Sequence, residues 1–251
     1  MPEIDGPMSK KPLNVQTTDL ARRYGRHPAM RQGTEEFSTM AVQRIIPEIF
    51  GIIDKAKIRF ALLRNHKNFL SRPVIKKDID IVVHEDFQSQ FPKLMKSAGW
   101  KKAQHPYSRQ LGYSYLYALP AFEFYVRDDV YVDVTYKLPC MSITGEHWIP
   151  LDDKIQSNMW KNIVQVNEFW HYELSTVDKF IHNLTRVVFE KKELNDDKIT
   201  EMASWLHKID RDLLEDYLKT IFFKATPMVM NLAYESRYRD IRTSLIRFSD
   251  Y

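Results

Sequence analysis

The chain has 251 residues, of which 44% are hydrophobic and 28% charged, and its formal net charge is +4. This composition is typical of a globular protein and excludes a mainly disordered chain. The small positive charge allows a phosphate-bearing ligand but does not demand a nucleic acid. A single cysteine, Cys140, excludes an intrachain disulfide framework and favours a reducing compartment. No stretch approaches the roughly 20 apolar residues of a membrane span, and the first residues do not resemble a signal peptide. We therefore expect a cytoplasmic protein without a membrane span.

The sequence predicts three parts. Residues 1–33 contain prolines and many basic side chains with little periodicity, which predicts a flexible basic arm. Strand-like runs and candidate acids predict a domain over 34–150, and helical spacing dominates a second domain over 151–251. The predicted fold class is α+β, with a small mixed sheet flanked by helices and followed by a helical domain.

The first predicted elements are a helix and a buried strand. Apolar residues recur at helical spacing from Phe37 to Ile53. The apolar run that begins at Ile58 then ends in Arg64 and Asn65. It predicts a buried strand that carries these two polar side chains to its C-terminal edge, where ligands bind in open α/β sheets.

The next strand carries two acids. Asp78 and Asp80 alternate with Ile79, Ile81 and Val83. Because alternate side chains of a strand share a face, both acids should point one way and the aliphatic residues the other way, into a core. Carboxylates on a half-buried strand are costly unless a cation binds them, and Mg²⁺ suits such oxygen ligands together with substrate phosphates.

A third acid follows on a hairpin. Phe87 to Gly99 has helical spacing, and two strand-like runs then flank the turn sequence Asp128-Asp129. In the second run, Asp133 shares a face with Thr135. Asp133 is therefore a third acid presented from a strand.

The last third of the chain predicts helices. A helix is expected to begin after Ser175, and further helices are expected over 196–208, 210–224 and 227–248. Asp178, His182 and Arg186 recur every four residues in the first of these helices. This stripe is either a solvated, ion-paired face or a wall of the cleft opposite the acids, where His182 or Arg186 would contact phosphate. The tryptophans, including Trp148 and Trp160, are expected in the core.

Three motifs carry a resemblance to a known superfamily. They are Leu62-Leu63-Arg64-Asn65, Asp78-Ile79-Asp80-Ile81-Val82-Val83 and Tyr131-Val132-Asp133-Val134. In this order and before a helical half, they resemble the nucleotidyltransferase superfamily of the DNA polymerase β type. More narrowly, they resemble nucleotidyltransferase-like proteins found with bacterial surface-polysaccharide genes.

The resemblance implies a site and its cofactors. It implies that Asp78 and Asp80 hold the Mg²⁺ or Mn²⁺ that carries a nucleoside triphosphate such as ATP, and that Asp133 is the third metal ligand or the base. Where the superfamily usually has Gly-Gly or Gly-Ser, this chain has Arg64-Asn65. There a guanidinium fork and an amide would contact the phosphates in place of backbone amides. The alternative is that Arg64 forms a structural ion pair with Asp78 or Asp80.

The implied function is transfer of a nucleoside monophosphate from the triphosphate to a hydroxyl of a small molecule. By the narrower resemblance, that acceptor would be a sugar or polyol of surface-polysaccharide metabolism. Two alternatives stay open. One is a toxin-like nucleotidyltransferase acting on RNA or protein, although the modest charge does not favour nucleic acid. The other is a catalytically silent binding module with the same fold.

Overall fold

The structure is a computed structural model that describes residues 45, 47–63, 79–103, 122–128, 130–141, 148–166, 171–190 and 195–245. All of these residues belong to one compact unit, Ser38–Tyr251. Our predictions for the arm over 1–33 and for Arg64, Asn65 and Asp78 lie outside the described residues. Within them, the fold is mixed α+β, as the sequence predicts.

The described strands form two sheets. They are β1 (Phe60–Leu62), β2 (Ile79–Val83), β3 (Lys101–Lys102), β4 (Glu123–Arg127), β5 (Val130–Thr135), β6 (Pro139–Met141), β7 (Trp148–Pro150), β8 (Val164–Val166) and β9 (His171–Glu173). Seven of them make one sheet in the order β3-β4-β5-β2-β1-β9-β8, and β6 pairs with β7 separately. The seven-stranded sheet is mixed, because β2–β5 and β1–β9 are parallel and its other pairs are antiparallel.

The hairpin predicted around Asp128 is confirmed. Strands β4 and β5 are antiparallel, and Arg127 pairs with Val130 across the turn. Asp128 has a φ of 49°, in the left-handed region that aspartate tolerates in tight turns. The turn therefore fixes which residues of β5 share a face.

Most of the predicted helices are present, but the helix predicted over Phe87 to Gly99 is shorter, and the helix Asp153–Asn162 was not predicted. They are α1 (residues 47–55), α2 (Phe91–Ser97), α3 (Asp153–Asn162), α4 (Thr176–Phe189), α5 (Asp196–Leu206), α6 (Arg211–Phe222), α7 (Thr226–Tyr234) and α8 (Tyr238–Leu245). The single helix predicted over 227–248 was wrong. Ser236 has a φ of 58°, so the backbone leaves the right-handed helical region and α8 begins as a separate helix.

The large sheet has a hydrophobic core on each face. Ile79, Ile81 and Val83 are buried with residues of α1 and α2, as the alternation in the sequence predicts. Val82, on the opposite face, belongs to the core formed by α4 and the helices that follow it. Asp80 shares this second face, so it projects from the sheet on the side that α4 covers.

Strands β8 and β9 lie after the predicted domain boundary at residue 150 but belong to the large sheet. Strand β9 pairs with β1, and β8 lies outside it at the sheet edge. The division into a domain over 34–150 and another over 151–251 stays a prediction. Among the described residues, no helix is long and apolar enough to cross a membrane.

Candidate active site

Two of the predicted acids lie side by side on the sheet. Asp80 on β2 pairs in parallel register with Asp133 on β5. Residues paired in this way project from the same face, and their Cα atoms are separated by the strand spacing of about 4.8 Å. Asp80 is only 5% exposed, whereas Asp133 is half-buried. The sheet therefore presents two neighbouring carboxylates, one deep and one nearer to solvent.

Both acids line a cavity of about 240 Å³. Thr135, two residues after Asp133, also lines it, as expected from their shared face. The Thr135 hydroxyl donates a hydrogen bond of 2.6 Å to the Lys137 carbonyl oxygen. Leu63 at the end of β1 and Pro139 on β6 complete this part of the cavity wall.

Helix α4 forms the wall opposite the acids. Ser175 caps the helix as predicted, since its Oγ accepts a hydrogen bond from the Asp178 backbone N–H. His182 lies one turn after Asp178 and Arg186 two turns after it, and both line the cavity. The structure thus brings Asp80, Asp133, His182 and Arg186 to one cavity.

The interpretation of this helix face as solvated was wrong for its first two residues. Asp178 is fully buried and His182 is 3% exposed. Both therefore lie on parts of α4 that are covered by the rest of the protein. Helical periodicity alone could not separate an ion-paired surface stripe from a buried one, since both repeat every four residues.

Sequence reasoning missed a carboxylate that is paired with Arg186. Glu190 also lines the cavity, and it accepts two hydrogen bonds from the Arg186 guanidinium. The Nε–Oε2 distance is 2.5 Å and the Nη2–Oε1 distance is 2.7 Å. Glu190 continues the four-residue repeat of His182 and Arg186, and this repeat was the signal that could have identified it. The Arg186 guanidinium is therefore held by Glu190 through an ion pair with two hydrogen bonds.

The buried carboxyl of Asp178 lies one turn before His182 on α4. Burial raises its pKa from the ordinary 3.8 to about 6, although the hydroxyls of Ser175 and Tyr217 act in the opposite direction. The Ser175 hydroxyl donates a hydrogen bond of 2.5 Å to Asp178 Oδ2. Asp178 is thus a titratable group of the core and does not line the cavity.

Aromatic side chains form a third part of the cavity lining. These residues are Phe122 before β4, Phe124 on β4 and Trp148 on β7. The rings of Phe122 and Trp148 meet edge to face with centroids 4.9 Å apart. The core position predicted for Trp148 was wrong, because this side chain is half-buried at the cavity, while the prediction for Trp160 was correct. Trp148 stands alone in an irregular region of the sequence, so no periodic pattern indicated whether its side chain is buried in the core.

A buried glutamine fixes the hairpin that carries Trp148. The Gln156 side chain on α3 accepts a hydrogen bond from the Leu138 N–H at 2.9 Å and donates to the Leu138 carbonyl oxygen at 3.0 Å. It also donates to the Leu151 carbonyl oxygen at 3.1 Å. Leu138 and Leu151 lie just outside the paired strands β6 and β7, so Gln156 attaches both ends of this hairpin to α3.

Asp80 and Asp133 could bind a hard cation such as Mg²⁺ only together with further ligands. Within the described residues, no group of three histidine, cysteine, aspartate or glutamate side chains could hold a metal ion. Asp80 and Asp133 supply two adjacent carboxylates, and Asp78, the other predicted ligand, lies outside the described residues. One or two carboxylates combined with substrate phosphate oxygens and water are the donor set typical of Mg²⁺.

Comparison with protein-family models found no match to this chain, and a search of curated proteins found no significant similarity. We therefore infer the function from the residues of the cavity.

Proposed function

We propose that this protein is a Mg²⁺-dependent nucleotidyltransferase that transfers a nucleoside monophosphate from a nucleoside triphosphate to a hydroxyl of a small molecule. The observation that supports this proposal most directly is the parallel register of Asp80 and Asp133, which sets two carboxylates side by side in a cavity that also holds Arg186. Phosphoryl-group transfer depends mainly on positioning and charge stabilisation, and this arrangement supplies both.

The carboxylates are the proposed metal ligands. Asp78 and Asp80 would hold Mg²⁺ or Mn²⁺ together with the phosphates. Asp133 would contact the acceptor hydroxyl. When bound, such an ion neutralises phosphate charge and stabilises the attacking and leaving oxygens. The nearly complete burial of Asp80 excludes bulk water from its carboxylate, which strengthens the attraction to a cation.

The chemical step is a displacement at the α-phosphorus. The acceptor hydroxyl oxygen forms a bond to the α-phosphorus while the bond from that phosphorus to the bridging oxygen of the β-phosphate breaks. Pyrophosphate leaves with the electron pair of that bond. The hydroxyl proton passes to Asp133, which acts as general base and whose half-buried position allows contact with the acceptor.

Cationic and polar side chains would bind the triphosphate. Arg186 offers a planar guanidinium at the cavity, and His182 offers a ring nitrogen one turn earlier on α4. We assign Arg64 and Asn65 to the phosphates on the basis of their place after β1. In this proposal Arg186 exchanges its contacts with Glu190 for contacts with phosphate oxygens.

A small acceptor is favoured over RNA by the modest net charge of +4. We place the activity in the cytoplasm, where nucleoside triphosphates are available and where a free cysteine such as Cys140 is stable.

The test is a titration of the protein with each nucleoside triphosphate in the presence of Mg²⁺. We expect one or more nucleotides to bind wild type and to bind Asp80→Asn at least tenfold more weakly. The matched control is Asp128→Asn, which makes the same substitution in the exposed turn of the β4–β5 hairpin. Equal binding by wild type and Asp80→Asn, or no Mg²⁺-dependent binding at all, would favour a silent module.

A further inference from the structure

We infer that the aromatic wall, defined as Phe122, Phe124 and Trp148, binds the acceptor, and that this acceptor is a cyclic polyol whose ring stacks on the wall. The inference rests on the proposed function, because it takes Asp133 as the acid that receives the acceptor's proton. It adds that the acceptor is a ring and not an open chain, and it names the residues that select it.

The strand order places the wall on the acceptor side of the site. Phe124 on β4 pairs with Asp133 on β5, and Asp133 pairs on its other side with Asp80 on β2. The three residues therefore form a row across one face of the sheet, with about 4.8 Å between neighbours. A molecule that contacts Phe124 and Asp133 lies on the side of Asp133 away from Asp80, the proposed phosphate ligand.

The three aromatic side chains of the wall line the cavity. Phe124 is 46% exposed and lies beside the half-buried Asp133. Phe122 and Trp148 are half-buried and support each other by their edge-to-face contact. Such surfaces attract the C–H face of a saturated ring through dispersion and removal of apolar area from water.

Polar groups next to the wall match the hydroxyl rim of such a ring. Asp133, Thr135 and Glu190 line the same cavity and carry oxygen acceptors. A cyclic polyol can present its C–H face to Phe124 while its hydroxyls donate to these oxygens. An open-chain polyol with the same hydroxyls has no preformed apolar face and loses more conformational freedom on binding. The wall should therefore select rings over chains.

The experiment measures binding of matched cyclic and acyclic polyols in the presence of Mg²⁺ and a bound nucleotide. The probes are methyl hexopyranosides and myo-inositol, compared with the alditols sorbitol, galactitol and mannitol. The variants are Trp148→Ala and Phe124→Leu, the second of which keeps an apolar side chain on β4. Phe223→Ala is the control, because Phe223 is 73% exposed and does not line the cavity.

We expect at least one cyclic probe to bind about tenfold more tightly than its alditol counterpart. Trp148→Ala and Phe124→Leu should each weaken that binding by about five- to tenfold, in line with the loss of one aromatic contact. Their affinity for Mg²⁺-nucleotide should stay within about twofold of wild type. Phe223→Ala should change neither affinity.

Three results would overturn the inference: no cyclic probe binds, the alditols bind equally well, or the wall variants weaken nucleotide binding as much as polyol binding. The last result would assign the wall to the nucleotide. The proposed function has its own readout, since it fails when Asp80→Asn leaves nucleotide binding unchanged. If only the polyol-binding measurements fail, the proposed nucleotide site is not contradicted.

Discussion

Asp80 and Asp133 are directly opposite each other on parallel strands, although 52 residues separate them in sequence. Asp80 is almost fully buried, whereas Asp133 is half-buried. Two neighbouring carboxylates are a donor pair that a hard cation can bind together with substrate oxygens.

Substitution of the third acid should separate catalysis from binding. We expect Asp133→Asn to reduce nucleotidyl transfer by about 10²–10⁴-fold, because a general base contributes rate enhancement of that size. Affinity for the Mg²⁺-nucleotide should fall much less than in Asp80→Asn. Rates of pyrophosphate release and calorimetric nucleotide titrations measure the two effects. Asp128→Asn, on the same hairpin, should match wild type in both, and parallel losses of rate and affinity in Asp133→Asn would contradict the assigned role.

Removal of the carboxylate that holds Arg186 should strengthen phosphate binding. In Glu190→Gln the guanidinium no longer has a charged competitor, so we expect triphosphate affinity to rise about two- to fivefold. Arg186→Gln should lower it more than tenfold, because charge-assisted contacts to phosphate are lost.

The control for this pair is Glu201→Gln on α5, which removes another half-buried helical ion pair without touching the cavity. Nucleotide affinity in this variant should equal that of wild type. Weaker binding by Glu190→Gln would mean that Glu190 orients Arg186 and does not compete with phosphate for it.

The buried Asp178 should make stability depend on pH. Because its folded-state pKa is raised to about 6, the native state holds this proton more tightly than the unfolded chain. Its contribution to stability is therefore lost as pH rises from about 4 to about 6. A shift of about two pKa units corresponds to roughly 3 kcal/mol.

Asp178→Asn should abolish this dependence while keeping an oxygen that accepts the Ser175 hydroxyl bond. Urea unfolding from pH 4 to pH 7 should show the variant gaining stability relative to wild type, by up to about 3 kcal/mol. Asp212→Asn, an exposed acid in the first turn of α6, is the control. A difference between Asp178→Asn and wild type that does not change with pH would refute the prediction.

Loss of the Gln156 side chain should destabilise the hairpin that carries Trp148. Gln156→Leu leaves three backbone groups of Leu138 and Leu151 without their side-chain partner, which should cost about 2–4 kcal/mol of unfolding free energy. Gln165→Leu, the same change at an exposed position of β8, should cost less than about 0.5 kcal/mol. Chemical denaturation measures both, and equal effects would show that the buried amide contributes little.

Local patterns were enough to predict much of the sheet and one wall of the cavity. Alternation around Asp80 and in the hairpin identified which side chains share a face, since the period of a strand is two residues. The Ser175 cap and the apolar spacing after it located α4. These features depend on residues close in sequence, so they can be read without knowing the tertiary structure.

Features that depend on long-range packing could not be predicted. The pairing of β9 with β1 joins residues more than 100 positions apart and leaves no local signal. The burial of Asp178 depends on helices that follow it, and its own spacing resembled that of a surface stripe. Trp148 reaches the cavity because Gln156 attaches its hairpin to α3, a contact between segments with no common periodicity.

Strand β1 has only three residues, yet it lies inside the sheet with β2 on one side and β9 on the other. During synthesis, β9 leaves the ribosome more than 100 residues after β1. Until then β1 is an open edge whose backbone groups can pair with another chain. Truncated products that end before about residue 173 should therefore leave this side of β1 without its partner strand.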